Sequence, residues 1–269
     1  MHNPYGQFQG NQSAIELLQL ISNSQIFTMA NTVYHAAASR GHANHGWLNS
    51  YHSFSFANYY DPDRMRFGAL RVLNDDTVAA GMGFGTHPHD NMEIISIPLE
   101  GDLKHQDNLG NSAVIRQGDI QVMSAGTGIA HSEFNRNQDR PVKFLQIWIV
   151  PNKRNVTPRY DQITLNANER HNRLQQILSP QPRQGAVWIH QQACFHLAQM
   201  DSGVSLTYRM QQEENGVYFF LLDGAATIGE QALNKRDGFG VWNSGNIQIA
   251  ANENSELLAM EVPMQFSMP

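Results

Sequence analysis

The sequence predicts an all-β protein of two similar antiparallel domains, each a sandwich or barrel, with few short helices. Three observations carry this. From about Phe67 onward, short apolar and β-branched runs are cut at regular intervals by glycine-bearing turns. A weak internal repeat relates the two halves at an offset of about 120 residues, too long for a solenoid and right for a duplicated domain. With 41% hydrophobic and 16% charged residues, a chain of 269 residues can bury sizeable cores.

In chain order, residues 1–28 read as an extension. Met1 to Gly10 is polar and turn-rich, and Ser13 to Phe27 has helix-like spacing through Ile15, Leu18, Ile21 and Ile26. No basic segment precedes it, so it does not read as a secretory signal. It is either a segment ahead of the true start, with Met29 opening the domain, or a docking helix. Alternation of Phe54 and Phe56 suggests a half-buried strand. Ala69–Leu73 forms a run that ends at Asn74-Asp75-Asp76, and Glu93–Leu99 ends at Glu100-Gly101-Asp102. Ala113–Ile115 ends at Gln117-Gly118-Asp119; Ile120–Met123 and the strongly apolar Phe144–Val150 complete the first half. Pro151 to Pro158 reads as a linker. Asn168–Leu178 suggests a helix, since Leu174 and Ile177-Leu178 share a face and Ser179-Pro180 would stop it.

The second half echoes the first. Pro98-Leu99-Glu100-Gly101 matches Leu221-Leu222-Asp223-Gly224, and the segment from Gly118 to Gly126 matches that from Arg236 to Gly245. The expected domains are therefore 29–155 and 156–269.

The 18 Lys and Arg against 24 Asp and Glu leave a formal charge of −6, scattered along the chain. No basic stripe is present for phosphate backbones, which argues against direct nucleic-acid binding. No apolar run approaches the length that spans a bilayer, so no membrane association is expected. The single cysteine, Cys194, excludes an intrachain disulfide and a thiolate cluster, and it fits a reducing compartment such as the cytoplasm.

Two histidine-bearing segments point to chemistry: Thr86-His87-Pro88-His89 and Ile129-Ala130-His131-Ser132-Glu133. On a strand, residues i and i+2 share a face. Two such strands can bring His87, His89, His131 and Glu133 to one point. Three imidazoles and a carboxylate suit a divalent transition metal, with Fe2+ favoured and Ni2+, Cu2+, Mn2+, Co2+ or Zn2+ compatible. In the second repeat these positions are Met210, Gln212, Ala250 and Asn252, so one metal per chain is expected, in the first half. Glu93 lies four residues beyond His89 and in an unbroken strand shares its face. It is read as an outer carboxylate that orients a ligand, as a ligand, or as a salt-bridge partner. His42, His45, His52 and His105 read as structural hydrogen-bonding residues. Phe54, Phe56, Tyr59 and Tyr60 either wall a flat aromatic substrate or pack a hairpin, and Gln146 and Trp148 face either the cavity or the domain interface.

The pattern resembles the cupin superfamily. Gly81, His87-Pro88-His89 and Glu93 fit its first motif, with Gly101 one residue late. Gly118, Gly126, His131 and Asn135 fit its second, with the histidine two places late. That offset and the His-x-Glu at 131–133 resemble one branch, the pirins. The segments around Arg40-Gly41-His42, Phe54 to Tyr60, Gly83 to His89 and Ser124 to Ile129 are similar to pirin segments, in the manner of the bacterial pirin-like quercetin 2,3-dioxygenases. The resemblance implies a bicupin with one metal, commonly iron, on His87, His89, His131 and Glu133, with Glu133 as the ligating carboxylate and the catalytic base. It implies a dioxygenase that opens quercetin-like flavonols, with a small phenolic substrate and dioxygen as partners. The rival reading is a metal-bound, redox-sensing regulator acting through a protein partner; a cupin isomerase or hydrolase of a small metabolite is a third. An open, aromatic-lined pocket favours the enzyme, and a closed one favours the regulator.

Overall fold

The computed structural model describes Met1 and residues 30–266. The expected helix-like stretch Ser13–Phe27 lies outside the described residues. The first half contains β1 (Asn31–His35), β2 (Gly41–Asn44), β3 (Leu48–His52), β4 (Leu70–Val78), β5 (Gly83–His89), β6 (Glu93–Glu100), β7 (Leu103–Asp107), β8 (Ser112–Ile115), β9 (Asp119–Ser124), β10 (Ile129–Asn135) and β11 (Val142–Ile149). After the linker come β12 (Arg159–Thr164), β13 (Gln175–Ser179), β14 (Val187–Trp188), β15 (Cys194–Met200), β16 (Ser205–Arg209), β17 (Asn215–Asp223), β18 (Ala225–Ile228), β19 (Gln231–Asn234), β20 (Gly238–Trp242), β21 (Asn246–Ala251) and β22 (Ser255–Pro263). The helical content among the described residues is three single 3-10 turns, at Ala37–Ser39, Pro62–Arg64 and Ala167–Glu169.

Each half packs a seven-stranded sheet on a four-stranded one. In the first half the orders are β12-β9-β6-β11-β4-β3-β2 and β5-β10-β7-β8; in the second they are β1-β20-β17-β22-β15-β13-β14 and β16-β21-β18-β19. The four-stranded sheets and the central strands of the large sheets repeat in the same order, which is the structural form of the sequence repeat. The sheets do not close into barrels; both domains are jelly-roll-like sandwiches, with free edges where the barrel expectation had none.

The largest apolar cluster lies between the halves. Leu73, Ile95, Ile97, Leu145 and Ile147 of one large sheet pack with Phe195, Tyr218, Phe220, Leu258 and Met260 of the other. Central strands are therefore covered on both faces, which explains why β6, β17 and β22 read as unbroken apolar runs. The second domain has its own continuous interior, including Tyr208, Phe219, Leu233, Ile249 and Leu257. The matching interior of the first domain is split into two smaller clusters, one around Leu103 and Phe144 and one around Ile94 and Met123.

Three expectations are corrected. β4 does not end at Leu73 but runs through Asn74-Asp75-Asp76 to Val78, paired on both sides. Asn168–Leu178 is not a helix: one 3-10 turn precedes β13, whose Ile177 and Leu178 are both fully buried because the strand is covered on both faces. Phe54 and Phe56 do not share a strand; β3 ends at His52, and Phe56 pairs with Tyr59 across a tight turn. The boundary at 155/156 is crossed by two strands. β1 pairs with β20 in the second domain, and β12 pairs with β9 in the first.

Candidate metal centre

The two histidine segments are neighbouring strands. β5 and β10 are antiparallel, with His87 opposite His131 and His89 opposite Ile129. A register shift between His131 and Glu133 bends β10 at the site. The strands approach so closely that a side chain at Gly83 would place its Cβ 2.3 Å from the Glu133 carbonyl oxygen, so only glycine fits there.

Three imidazoles converge. The ring centroids of His87 and His131 are 4.5 Å apart, those of His87 and His89 4.9 Å, and those of His89 and His131 5.0 Å. A metal-capable atom from each lies within 4.8 Å of the others. His87 Nδ1 donates to the Gly85 carbonyl oxygen at 2.8 Å, which leaves its Nε2 with a free lone pair. His131 is settled by a longer chain. His105 Nε2 donates to the Asp107 carboxylate at 3.0 Å, so His105 Nδ1 is an acceptor and faces His131 Nδ1 at 3.4 Å. His131 then carries its proton on Nδ1, and its buried Nε2 meets no hydrogen-bond partner among the described residues. Burial, then the neighbouring histidines, push His131 down to about 2; burial and His87 push His89 down to about 4. Both are neutral, as metal ligands must be. A buried ring nitrogen with nothing to bond, beside two more imidazoles, fits a divalent metal in its donor set.

Glu133 lies beside this cluster, 2% exposed. Its Oε1 accepts from Ser96 Oγ at 3.0 Å and its Oε2 from Gln146 Nε2 at 2.7 Å. Burial pushes its carboxyl up to about 7, against the lowering effect of those two hydrogen bonds. It also forms a close group with His105 and His131. His105, expected to be purely structural, thus stands directly behind a metal-type ligand. Tyr160, delivered by the exchanged strand β12, packs on its ring at 4.7 Å.

Glu133, His87 and His89 line a cavity of about 190 Å³ with Leu48, Phe56, Phe84, Gln146 and Trp148. Phe56 meets Trp148 edge-on at 5.5 Å. Gln146 and Trp148 therefore face the cavity, as does His52. Phe54 does not line it: the ring is in the interdomain core, 5.4 Å from Tyr218. Glu93 does not line it either. The turn after His89, with Asn91 at φ 44°, breaks the strand, so the same-face spacing does not carry across to β6. Glu93 is instead buried against Ser124, whose Oγ donates to it at 2.6 Å, and burial pushes it up to about 7. The sequence reading missed Ser96, Asn74, Asp76 and Asp107. Asn74 and Asp76 have turn composition, which masks their place in a strand.

In the second domain the equivalent interior is filled. Tyr208 donates to Glu261 at 2.9 Å, and Gln211 N, Gln212 N and Asn215 Nδ2 donate to the same carboxylate at 3.0 Å.

Fold and site together define a two-domain cupin with its metal-type donors in the first domain. The chain matches the family model described as Pirin over residues 33–149 and the one described as Quercetinase C-terminal cupin domain over residues 176–262. It is 43% identical over 227 residues to quercetin 2,3-dioxygenase of Escherichia coli K12, covering 84% of this chain and 96% of that one. It is 38% identical to a pirin-like protein of Caulobacter vibrioides over 82% of this chain and 95% of the relative. The crystal structure of the E. coli bacterial pirin YhhW in complex with nickel(II) matches with a TM-score of 0.82 at 41% identity, over 87% of this chain and 99% of the other. The chain belongs to the pirin family, and its site is one for a divalent metal.

Proposed function

We propose that this protein is an Fe2+-dependent dioxygenase that opens the ring of quercetin-like flavonols, with His87, His89, His131 and Glu133 as the metal ligands and Glu133 as the base. That it is an enzyme of the dioxygenase class follows from its family and relatives; the flavonol, the iron and the residue roles are the proposal. The observation that supports it most is the close triad of His87, His89 and His131, with the buried Glu133 beside His131 and on the wall of an aromatic-lined cavity. The metal, when bound, would lower the pKa of a phenolic hydroxyl and orient it.

The chain's own residues do the rest. Ser96 and Gln146 hold both Glu133 oxygens in place, which aims the carboxylate to take up a phenolic proton. Phe56, Phe84 and Trp148 offer flat apolar contact and displace water from the reacting ring. A cavity of about 190 Å³ is smaller than the roughly 300 Å³ or more of pockets that enclose drug-sized ligands. It takes in part of a three-ring flavonol, and the remainder leaves past the exposed His45 and Ala57 at its rim. An open rim with aromatic walls favours the enzyme over a regulator that acts through a protein partner. Among the described residues no helix is long and apolar enough to cross a membrane.

The test is oxygen uptake with matched loss of quercetin absorbance, by protein loaded with iron(II), nickel(II) or copper(II) in turn. Glu133→Gln should keep part of its metal and lose about 10²-fold or more in turnover, the scale of a lost general base. No uptake in any metal form would sink the quercetin reading.

A further inference from the structure

A polar row crosses the inner face of the first domain's large sheet. His52 pairs with Asn74, Asn74 with Gln146, and Gln146 with Ser96, so four adjacent strands place these residues side by side. Cross-strand neighbours share a face. At one end, Gln146 and Ser96 donate to Glu133. The other end has no such use. Asn74 and His52 are each 3% exposed and line the cavity, yet Asn74 Oδ1 and His52 Nδ1 are buried with no hydrogen-bond partner among the described residues. Trp148 Nε1, from the same cavity wall, is also buried without a partner among the described residues.

The chemistry of these atoms can be read from their neighbours. Ser50 Oγ donates to the Asp76 carboxylate, so it accepts from His52 Nε2 at 2.8 Å. The His52 proton is therefore on Nε2, and Nδ1 presents a lone pair. Burial keeps the ring neutral, lowering it to about 4. The row thus offers two acceptors, His52 Nδ1 and Asn74 Oδ1, and Trp148 adds one N–H donor. Leaving such groups buried and unmatched is costly, so they are expected to meet a ligand that supplies the complement. Two acceptors and a donor complement hydroxyl groups on an aromatic ring.

We propose that His52 and Asn74, with Trp148, form a hydroxyl-reading ledge that selects polyhydroxylated phenols over phenols with only the reacting hydroxyl. The inference rests on the flavonol reading above and names its substrate class more finely. His52 sits two strands from Gln146, roughly 10 Å at ordinary strand spacing. A hydroxyl read there is on a different part of the substrate from the oxygen that faces Glu133. These are positioning residues, and they act on affinity rather than on the bond-making step.

The experiment compares quercetin with 3-hydroxyflavone, which keeps the reacting hydroxyl and lacks the others. Binding to nickel-loaded protein is followed anaerobically by quenching of tryptophan fluorescence. The wild type should bind quercetin about tenfold or more tighter, as expected for one or two hydrogen bonds gained. In Asn74→Leu and His52→Phe that advantage should shrink to about threefold or less, with little change for 3-hydroxyflavone. His52→Gln keeps an acceptor and should restore part of it. Metal content and melting temperature report whether each variant is folded, and His52→Gln and Asn74→Asp serve as the test variants where His52→Phe or Asn74→Leu does not fold. Equal binding of both ligands by the wild type overturns the ledge while leaving the flavonol reading intact. An undiminished quercetin preference in both folded variants overturns it too. Binding of neither flavonol overturns the flavonol reading, and the ledge with it.

Discussion

His131 takes its tautomer from His105 on the neighbouring strand. The chain from Asp107 through His105 sets which nitrogen of His131 bears the proton, and so which one is free to ligate. His105→Ala should lower metal affinity about 10–100-fold by competition with a chelator, with the fold retained. Unchanged affinity would show that the chain does not orient the ligand. Glu93 supplies a contrast. Burial lets the folded protein keep this proton up to about pH 7, whereas an unfolded glutamate releases it at about 4.3. A raised acid pKa stabilises in full below about pH 4, and that contribution fades as pH rises to 7. Glu93→Gln should therefore flatten the decline of melting temperature between pH 5 and pH 8 and leave metal affinity unaltered. A loss of metal would return Glu93 to the site.

At the scale of elements, β4 and β12 are instructive. Asn74-Asp75-Asp76 has turn composition, yet it lies inside β4. The strand tolerates those residues because Asn74 and Asp76 face the cavity, where polar groups have work to do. Local propensity misleads most where function overrides it. The exchange of β1 and β12 was invisible for another reason: a strand's own sequence does not name its partner. A chain divided at 155/156 leaves each half without one edge strand, exposing β9 and β20, and removes Tyr160 from His105. Neither piece, 30–155 nor 156–266, should give a cooperative thermal transition by circular dichroism alone. Two independent, native-like melts would show that the exchanged strands are dispensable.

Across the whole molecule, two copies of one architecture have divided their tasks. The second domain fills its interior with a continuous apolar cluster and closes the remaining polar groups on Glu261. The first interrupts its interior with histidines and carboxylates. Metal analysis should find one equivalent per chain, abolished by His87→Ala or His131→Ala. Two equivalents retained in those variants would place the metal elsewhere. The sequence by itself determined the all-β class, the repeat and the His-x-His and His-x-Glu dyads, because period-two spacing and glycine turns are local properties of the chain. Only the tertiary structure decided that Glu93 leaves the site, that Phe54 belongs to the interdomain core, and that His52, Asn74 and His105 belong to the cavity or stand behind it. Those outcomes depend on which strand lies beside which, and on whether a turn breaks a face, neither of which is encoded in the spacing of any single segment.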